Sequence, residues 1–216
     1  MKFGSGEHIA VLGMNGSGKT YWCRGTLIPL WSRVIVVDTE EYDYNRLPAV
    51  SPSKAVALAR SKNKAFRVRV VFRGDGGEKD ASDLNALCGG LLRGGHNTLI
   101  VFDEITDFCD AQTIPPSLRS IVRKARKRNI TVAMATQRPA MLSKDAYTQS
   151  VHRVVFYLPD YDCAAIKKYA PWAGERMSQI PYKSYRYLYQ APSGEVIVME
   201  GEYYQGVVSA LEQPSA

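Results

Sequence analysis

The sequence predicts an α/β fold with a mainly parallel central sheet, helices on both faces of the sheet and a β-hairpin near the carboxyl end. Continuous apolar runs at 33–38, 98–102 and 130–136 are typical of strands buried on both faces of a parallel sheet. Segments with the apolar spacing of helices separate these runs. A glycine-rich turn at 13–20 joins the first apolar run to the first helical segment. Together these observations favour an α/β domain.

Length and composition fit one globular domain that spans 1–216. The chain has 216 residues, of which 45% are hydrophobic, so a sizeable core can be buried within one unit. No apolar run approaches the length that crosses a bilayer, and the segment 1–7 lacks the hydrophobic region of a signal peptide. We therefore expect no membrane span and a location in the cytoplasm.

Cysteines and charge narrow the function classes further. The four cysteines are far apart and form no Cys-x-x-Cys pair, so neither a zinc site nor a disulfide framework is indicated, and we expect reduced, buried thiols. The three histidines also lack ligand spacing and are expected to be structural. Lys and Arg total 28 against 21 Asp and Glu, and the resulting charge of +7 suits a polyanionic partner without identifying one.

The turn at 13–20 fits the pattern Gly-x4-Gly-Lys-[Ser/Thr] of a phosphate-binding loop. Such a turn can match by accident, but here a strand-length run at 8–12 precedes it and a helical segment at 20–24 follows it. In this pattern Lys19 binds the β- and γ-phosphates, and Thr20 offers a hydroxyl to Mg²⁺. Glycines leave the backbone N–H groups open to phosphate oxygens. The residues assigned to nucleotide binding are Gly13, Asn15, Gly16, Ser17, Gly18, Lys19 and Thr20.

The elements that follow alternate between strand and helix. The run 33–38 predicts a strand, and a helix capped by Ser53 is expected to reach Arg60. The alternating segment 66–72 predicts a strand in a half-exposed or edge position, because only one of its faces is consistently apolar. A helix at 80–92 then leads to the strand at 98–102.

That strand ends in the acidic pair Asp103-Glu104, as a Walker B element does. We assign Asp103 to the magnesium shell and Glu104 to the general base that positions and deprotonates the attacking water. An acidic pair can also cap a following helix. The phosphate loop at Lys19 favours the catalytic interpretation.

A basic helical segment spans 115–128 and contains no acidic residue. Three interpretations stay open: a solvated basic face, an arginine that completes a neighbouring subunit's ATP site, and a contact to DNA phosphate. The arginines of this segment are Arg119, Arg123, Arg126 and Arg128.

The buried run 130–136 ends in Gln137, a polar amide after an apolar strand. If this strand lies beside the strand that precedes Asp103, Gln137 reaches the γ-phosphate and can report whether that phosphate is present. A glutamine that merely caps the strand is the alternative.

The remaining segments predict a strand at 151–158, a helix from 159 to 168 and a terminal hairpin that pairs 185–189 with 196–199. Tyrosines at 185, 187 and 189 fall on one face of this hairpin, where sheet packing is favoured over base stacking. Residues 213–216 are expected to form a loose tail.

The segment 124–139, with its Ala-Thr-Gln-Arg-Pro ending, resembles the region around the sensor strand of FtsK/HerA-type DNA-pumping ATPases. The segments 37–42 and 149–160 are also similar to that family. The resemblance implies a RecA-like P-loop NTPase sheet with an added strand, ATP and Mg²⁺ as cofactors, and a ring of about six subunits, a homo-oligomer that moves double-stranded DNA. The resemblance implies catalytic roles for Lys19, Glu104 and Gln137 and metal binding by Thr20 and Asp103. It also implies that Arg126 is the arginine that acts in trans.

A motor core without an amino-terminal barrel or a winged-helix tail resembles the genome-packaging ATPases of icosahedral viruses that have an internal membrane or double jelly-roll capsid proteins. This resemblance implies capsid vertex proteins as partners, and a location in the host cytoplasm or at the packaging vertex of the virion. The basic loop 73–79 is a candidate DNA contact.

Other function classes stay open from the sequence. They are a conjugation or other DNA-pumping ATPase of cellular or plasmid origin, a P-loop small-molecule kinase, and a nucleotide-dependent scaffold. The acidic pair and Gln137 weigh against a kinase, since a kinase deprotonates a substrate hydroxyl and need not position water. An ABC-type ATPase is disfavoured, because no Leu-Ser-Gly-Gly-Gln signature lies between the phosphate loop and Asp103.

Overall fold

Eight strands form one sheet in the computed structural model, which describes residues 2–61, 64–75 and 77–201. The expected loose tail at 213–216 and Gly76 of the 73–79 loop lie outside the described residues. The strands are β1 His8–Leu12, β2 Arg33–Asp38, β3 Phe66–Val71, β4 Thr98–Phe102, β5 Ile130–Thr136, β6 Ser150–Val155, β7 Tyr187–Gln190 and β8 Val196–Met199.

The strand order across the sheet is β3-β2-β4-β5-β1-β6-β7-β8. The first six strands of the chain run parallel, and β7 and β8 form an antiparallel hairpin that extends the sheet beyond β6. The strand β5 lies between β1 and β4, so the turns that follow these three strands meet at the same edge of the sheet. The predicted site residues that lie in these turns are therefore brought to that edge.

Seven α-helices surround the sheet in the described part of the chain. They are α1 Lys19–Trp22, α2 Pro52–Arg60, α3 Glu78–Gly94, α4 Pro116–Lys124, α5 Lys144–Gln149, α6 Asp160–Ile166 and α7 Pro171–Arg176. A π-helical turn at Cys23–Leu27 continues α1, and a 3₁₀ turn at Ala125–Arg128 continues α4. Both continuations extend short helices toward the next strand.

The core has two layers, one on each face of the sheet. Side chains of α2 to α7 pack on one face, where alternate residues of β2, β4 and β5 meet them. The intervening strand residues face the other way and meet Trp22, Cys23 and Leu27 of α1 and its π-helical continuation. Parallel strands covered on both faces need apolar side chains at every position, which is why these runs are continuous in the sequence.

Several predicted elements have the expected bounds, and two predictions were wrong. β2, β4 and β5 begin and end where the apolar runs do, and β3 is an edge strand as predicted. The cap of α2 is Ser51, whose hydroxyl accepts a hydrogen bond from the N–H of Lys54 at 3.2 Å, and not Ser53. Pro52 at the first helical position fixes this earlier start. β7 begins at Tyr187, so Tyr185 lies outside the hairpin.

Candidate nucleotide-binding site

The phosphate loop between β1 and α1 is hydrogen-bonded to the end of β5 and to the residues that follow β6. The N–H of Gly13 donates to the carbonyl of Thr136 at 3.3 Å, and the N–H of Met14 donates to the carbonyl of Tyr157 at 3.0 Å. Gly18 has a φ of 109°, in the left-handed region that glycine adopts without strain. A Cβ on Gly13 would lie 2.7 Å from Cβ of Phe156. The glycines at 13 and 18 are therefore required by the fold of the loop itself.

Lys19 begins α1 and its side chain lies within the loop, with only 8% of its surface exposed. Its Nζ donates to the carbonyl oxygen of Met14 at 3.1 Å. Burial lowers the pKa of Lys19, and the nearby carboxylates of Glu104 and Asp103 oppose that effect. A buried ammonium beside backbone N–H groups suits a polyphosphate, because the phosphate oxygens can replace the carbonyl as its partner.

Thr20 and Asp103, the two residues predicted to be metal ligands, lie close together at this edge of the sheet. The Thr20 hydroxyl donates to Oδ2 of Asp103 at 3.5 Å, and the Tyr44 hydroxyl donates to Oδ1 at 2.9 Å. Burial raises the pKa of Asp103 to about 6, although both hydroxyls act in the opposite direction. Tyr44 could not be identified from the sequence, since it lies outside every motif.

A hydroxyl and one carboxylate fit Mg²⁺, which takes few protein ligands and keeps phosphate oxygens and waters in its shell. Within residues 2–61, 64–75 and 77–201, no cluster of three or more His, Cys, Asp or Glu could hold a metal ion by protein ligands alone. Thr20 and Asp103 therefore suit a magnesium ion that arrives with a nucleotide.

Glu104 lies beside the end of β5 and is 92% buried, with 8% of its surface exposed. Its Oε2 accepts a hydrogen bond from the backbone N–H of Gln137 at 2.8 Å. Its Oε1 accepts from the hydroxyl of Thr106, and that hydroxyl also lies 3.3 Å from Oγ1 of Thr136. The structure thus brings Glu104 and Gln137 together, as expected if β5 lies beside β4. The contact is made by the main chain of Gln137.

The turn after β2 holds Tyr44 in place through Asp38, which lies at the carboxyl end of that strand. Asp38 accepts hydrogen bonds from the N–H groups of Glu40 at 3.3 Å and Glu41 at 3.0 Å. Its other oxygen pairs with Arg69 of β3 at 2.9 Å. These contacts fix the acidic turn of the sequence, and with it the path of the chain that leads to Tyr44.

Arg126 lies at the opposite edge of the sheet from the phosphate loop. It belongs to the 3₁₀ turn before β5, is exposed, and its Nε donates to the carbonyl of Gly6, just ahead of β1, at 3.4 Å. Both β1 and β5 begin at this edge, whereas Lys19 follows the other end of β1. Arg126 is therefore remote from the site of its own chain.

Two arginines of the basic segment have an acidic partner that the segment itself lacks. Asp145 of α5 lies 2.7 Å from Arg123 and 3.9 Å from Arg119. A helix outside the segment thus supplies the negative charge for these two residues, because α5 packs beside α4. The short helix α5 was not predicted, since six residues give too few turns for a periodic pattern.

Acidic side chains contact Arg73, Gly74 and Lys79 of the basic segment 73–79. The backbone N–H groups of Arg73 and Gly74 donate to the carboxylate of Asp80 at 3.1 and 2.8 Å. Lys79 pairs with Asp83 of α3 at 2.5 Å. The loop follows the carboxyl end of β3, at the same edge of the sheet as the phosphate loop. A DNA contact for it stays a prediction.

The four cysteines are buried free thiols, as the sequence predicted. His8 and His152 are buried and bonded to protein partners, as expected for structural histidines. None of the helices in the described part of the chain has the length and hydrophobicity of a membrane span.

No family model matches the chain. It is 26% identical over 142 residues to Protein P9 of Pseudoalteromonas phage PM2, a match that covers 66% of this chain and 64% of that protein. The matched region is thus less than two thirds of the length of that relative.

Solved structures cover the chain more completely. The genome packaging NTPase B204 from Sulfolobus turreted icosahedral virus 2, in complex with ATP-gammaS, has a TM-score of 0.75 at 20% identity and covers 92% of this chain and 98% of its own. VirB4 of Thermoanaerobacter pseudethanolicus has a TM-score of 0.66 at 11% identity, over 92% of this chain and 90% of its own.

The sheet order, the phosphate loop and the paired acids define a RecA-like P-loop NTPase fold. This fold was expected from the resemblance, and it is shared with the genome packaging NTPase B204 and with the conjugation coupling protein TcpA of pCW3.

Proposed function

We propose that this protein is an ATP-driven double-stranded DNA translocase that packages a viral genome into a preformed capsid. The observation that carries the proposal is the meeting of Lys19, Asp103, Glu104 and Gln137 at one edge of the sheet, which follows from the position of β5 between β1 and β4. A phosphate loop opposite two acids with different surroundings is suited to hydrolysis, because one acid can bind the metal and the other can accept a proton from water.

The fold supports the choice of DNA as the substrate that is moved. The DNA-packaging ATPase B204 of Sulfolobus turreted icosahedral virus covers 93% of this chain with a TM-score of 0.73. The genome packaging NTPase B204 of Sulfolobus turreted icosahedral virus 2 has been solved in complex with ATP-gammaS and with AMPPCP. The net charge of +7 also suits a polyanion whose phosphates are contacted without regard to sequence.

The residues of this chain divide the work of hydrolysis. Lys19 and the loop amides bind the phosphate oxygens, and Thr20 and Asp103 hold Mg²⁺, which supplies positive charge to the phosphates when it is bound. Glu104 accepts a proton from the attacking water as the water oxygen bonds to the γ-phosphorus; the bond between that phosphorus and the β–γ bridging oxygen breaks, and ADP leaves. Gln137 contacts the γ-phosphate side of the site and distinguishes triphosphate from diphosphate.

The site is completed by a second copy of the chain in a ring of about six subunits. Arg126 of one subunit stabilises the charge that develops on the γ-phosphate bound by its neighbour, as arginine fingers do. Loss of the phosphate then loosens the interface, and channel loops move along DNA. Capsid vertex proteins anchor the ring, which works in the host cytoplasm or at the packaging vertex of the virion.

A conjugation ATPase is the second candidate. The coupling protein TcpA of pCW3 and VirB4 share the fold, with TM-scores of 0.61 and 0.66. The packaging function is preferred because B204 superposes on 92% of this chain with a TM-score of 0.75, which is higher than the TM-scores of TcpA and VirB4.

Hydrolysis of ATP in the presence and absence of linear double-stranded DNA tests the proposal. We expect DNA to stimulate hydrolysis by the wild-type protein, and Lys19→Ala to abolish it, since the ammonium on the β- and γ-phosphates is lost. Unstimulated hydrolysis, or turnover that survives Lys19→Ala, would contradict the proposal.

A further inference from the structure

The segment 181–186 lies over the phosphate loop, although the residues of the two segments that form a hydrogen bond are 167 positions apart in sequence. The hydroxyl of Tyr182 donates to the carbonyl of Asn15 at 3.4 Å. The ring of Tyr185 packs against the backbone of Gly18, since a Cβ placed on Gly18 would lie 2.8 Å from Cδ1 of that ring. Two tyrosines of one short segment thus contact the loop, one at Asn15 and the other at Gly18.

The backbone of this segment is strained where it presents its aromatic side chain. Tyr185 has a φ of 58° and Lys183 a φ of 59°, in the left-handed region that residues with bulky side chains rarely adopt. Such conformations cost on the order of 1–3 kcal/mol each and cluster at ligand sites. The strain at Tyr185 accompanies the placement of its ring beside Gly18.

A pocket of about 400 Å³ opens beside Gly18, between α1 with its π-helical continuation and the β7–β8 hairpin. Its size falls in the range of about 300–1,000 Å³ that is usual for small-molecule sites. Five of its 13 lining residues are aromatic, and its polar groups include the hydroxyl of Thr26 and the carboxylate of Glu200. The aromatic residues of the wall are Tyr21, Trp22, Phe156, Tyr185 and Tyr187.

We propose that this pocket binds the nucleobase of the nucleotide whose phosphates the loop holds. The inference rests on the proposed function, because it takes the loop to bind a nucleoside triphosphate. Gly18 belongs both to the loop and to the pocket wall, so a base in the pocket is continuous with phosphates in the loop. Aromatic rings at the wall suit a flat, apolar-faced ligand, and stacking on such rings contributes about 1–3 kcal/mol per base.

Gly25 offers a way to fill the pocket without disturbing the loop. It lines the pocket within the π-helical turn, and a Cβ placed there meets no atom within 4 Å. Glycine within a helix costs about 1 kcal/mol relative to alanine, so the residue is not favoured by local structure. A larger side chain at this position would occupy the space that we assign to the base.

Binding of a non-hydrolysable ATP analogue and of inorganic tripolyphosphate, both with Mg²⁺, tests the proposal by titration calorimetry. We expect Gly25→Leu to weaken the affinity for the ATP analogue by about 5- to 150-fold, which is the loss of stacking on one base. Tripolyphosphate affinity is expected to stay within about twofold of wild type, because that ligand has no base. Gly25→Ala, which adds only the Cβ, is the matched control and keeps both affinities.

Tyr185→Leu provides the independent variant, since it removes a ring instead of filling space. It is expected to weaken binding of the ATP analogue and to leave binding of tripolyphosphate unchanged. If Gly25→Leu does not fold, this variant alone tests the base pocket. Equal losses for both ligands, or no loss for either, would overturn the base pocket while the phosphate site stands. Failure of the wild-type protein to bind tripolyphosphate would instead contradict the proposed function at the phosphate loop.

Discussion

Asp103 and Glu104 are adjacent in the chain, yet their carboxylates have different partners. Asp103 accepts hydrogen bonds from the hydroxyls of Tyr44 and Thr20, whereas Glu104 accepts from Thr106 and from the N–H of Gln137. Because neighbouring residues in an extended chain point to opposite sides, one carboxylate faces the predicted metal and the other faces the end of β5. Separate surroundings allow the two acids to have separate roles.

Tyr44→Phe tests the role of the buried tyrosine in holding Asp103. The ring packs in the core and is retained, so only the hydrogen bond at 2.9 Å is removed. Loss of a residue that orients a metal ligand usually costs about 10- to 100-fold in metal affinity or activity. We expect the Mg²⁺ concentration for half-maximal ATP hydrolysis to rise by about tenfold. Tyr42→Phe makes the same change at a tyrosine that is 82% exposed and is the control; equal Mg²⁺ dependence in the two variants would count against this role.

At the scale of single residues, the sequence predicts those residues whose role follows from a short motif. Lys19, Thr20 and Asp103 follow from two short motifs, and the structure places them together. Tyr44 and Tyr185 act through contacts to residues far along the chain, and no spacing in the sequence records such a contact. Those residues could be identified only after the fold was known.

At the scale of elements, His8 links one helix to two central strands. Its Nε2 donates to the carbonyl of Val122 in α4 at 2.8 Å, and its Nδ1 accepts from the N–H of Val132 in β5 at 3.1 Å. This pair of contacts requires the neutral ring, since a second proton would face the N–H of Val132. Burial lowers the pKa of His8 to about 4, although the bond to Val122 opposes that effect.

The depressed pKa of His8 predicts a loss of stability in acid. Between pH 6.5 and about 4 the unfolded chain binds a proton at this histidine and the folded chain does not, so stability falls as the pH falls through that window. The difference corresponds to about 3 kcal/mol. Urea unfolding at several pH values measures it: His8→Gln is expected to flatten the decrease, and His96→Gln, at a partly exposed histidine, to leave it unchanged. A decrease of the same size in His8→Gln would show that other groups cause it.

The strands were predictable because burial on both faces leaves a continuous apolar run. β2, β4 and β5 match the predicted bounds for that reason. The short helices α5 and α7, of six residues each, lack enough turns to show a period, and they were missed. The edge position of β3 was predicted because its residues alternate between buried and exposed.

At the scale of the whole molecule, the two edges of the sheet carry different groups. The phosphate loop follows the carboxyl end of β1, whereas Arg126 lies at the edge where β1 and β5 begin. An arginine at that distance can serve an ATP site only on another subunit. The sequence identified Arg126 by resemblance, but the separation of the edges was visible only in the fold.

Mixed assemblies test whether Arg126 acts in trans. Arg126→Ala and Lys19→Ala are each expected to be inactive alone, while a mixture regains part of the hydrolysis, because some sites combine an intact Lys19 with a neighbour's Arg126. Arg123→Ala, whose arginine is paired with Asp145 at 2.7 Å, is the control and is expected to keep its activity alone. Absence of any recovery in the mixture would argue against action in trans.

Displacement of a third strand from triplex DNA measures directly whether hydrolysis by this protein moves DNA. We expect the wild-type protein to release the third strand in an ATP-dependent manner, and Glu104→Gln to bind nucleotide and DNA without releasing it, because the base that activates water is lost. Hydrolysis that DNA stimulates without any release of the third strand would contradict a translocase.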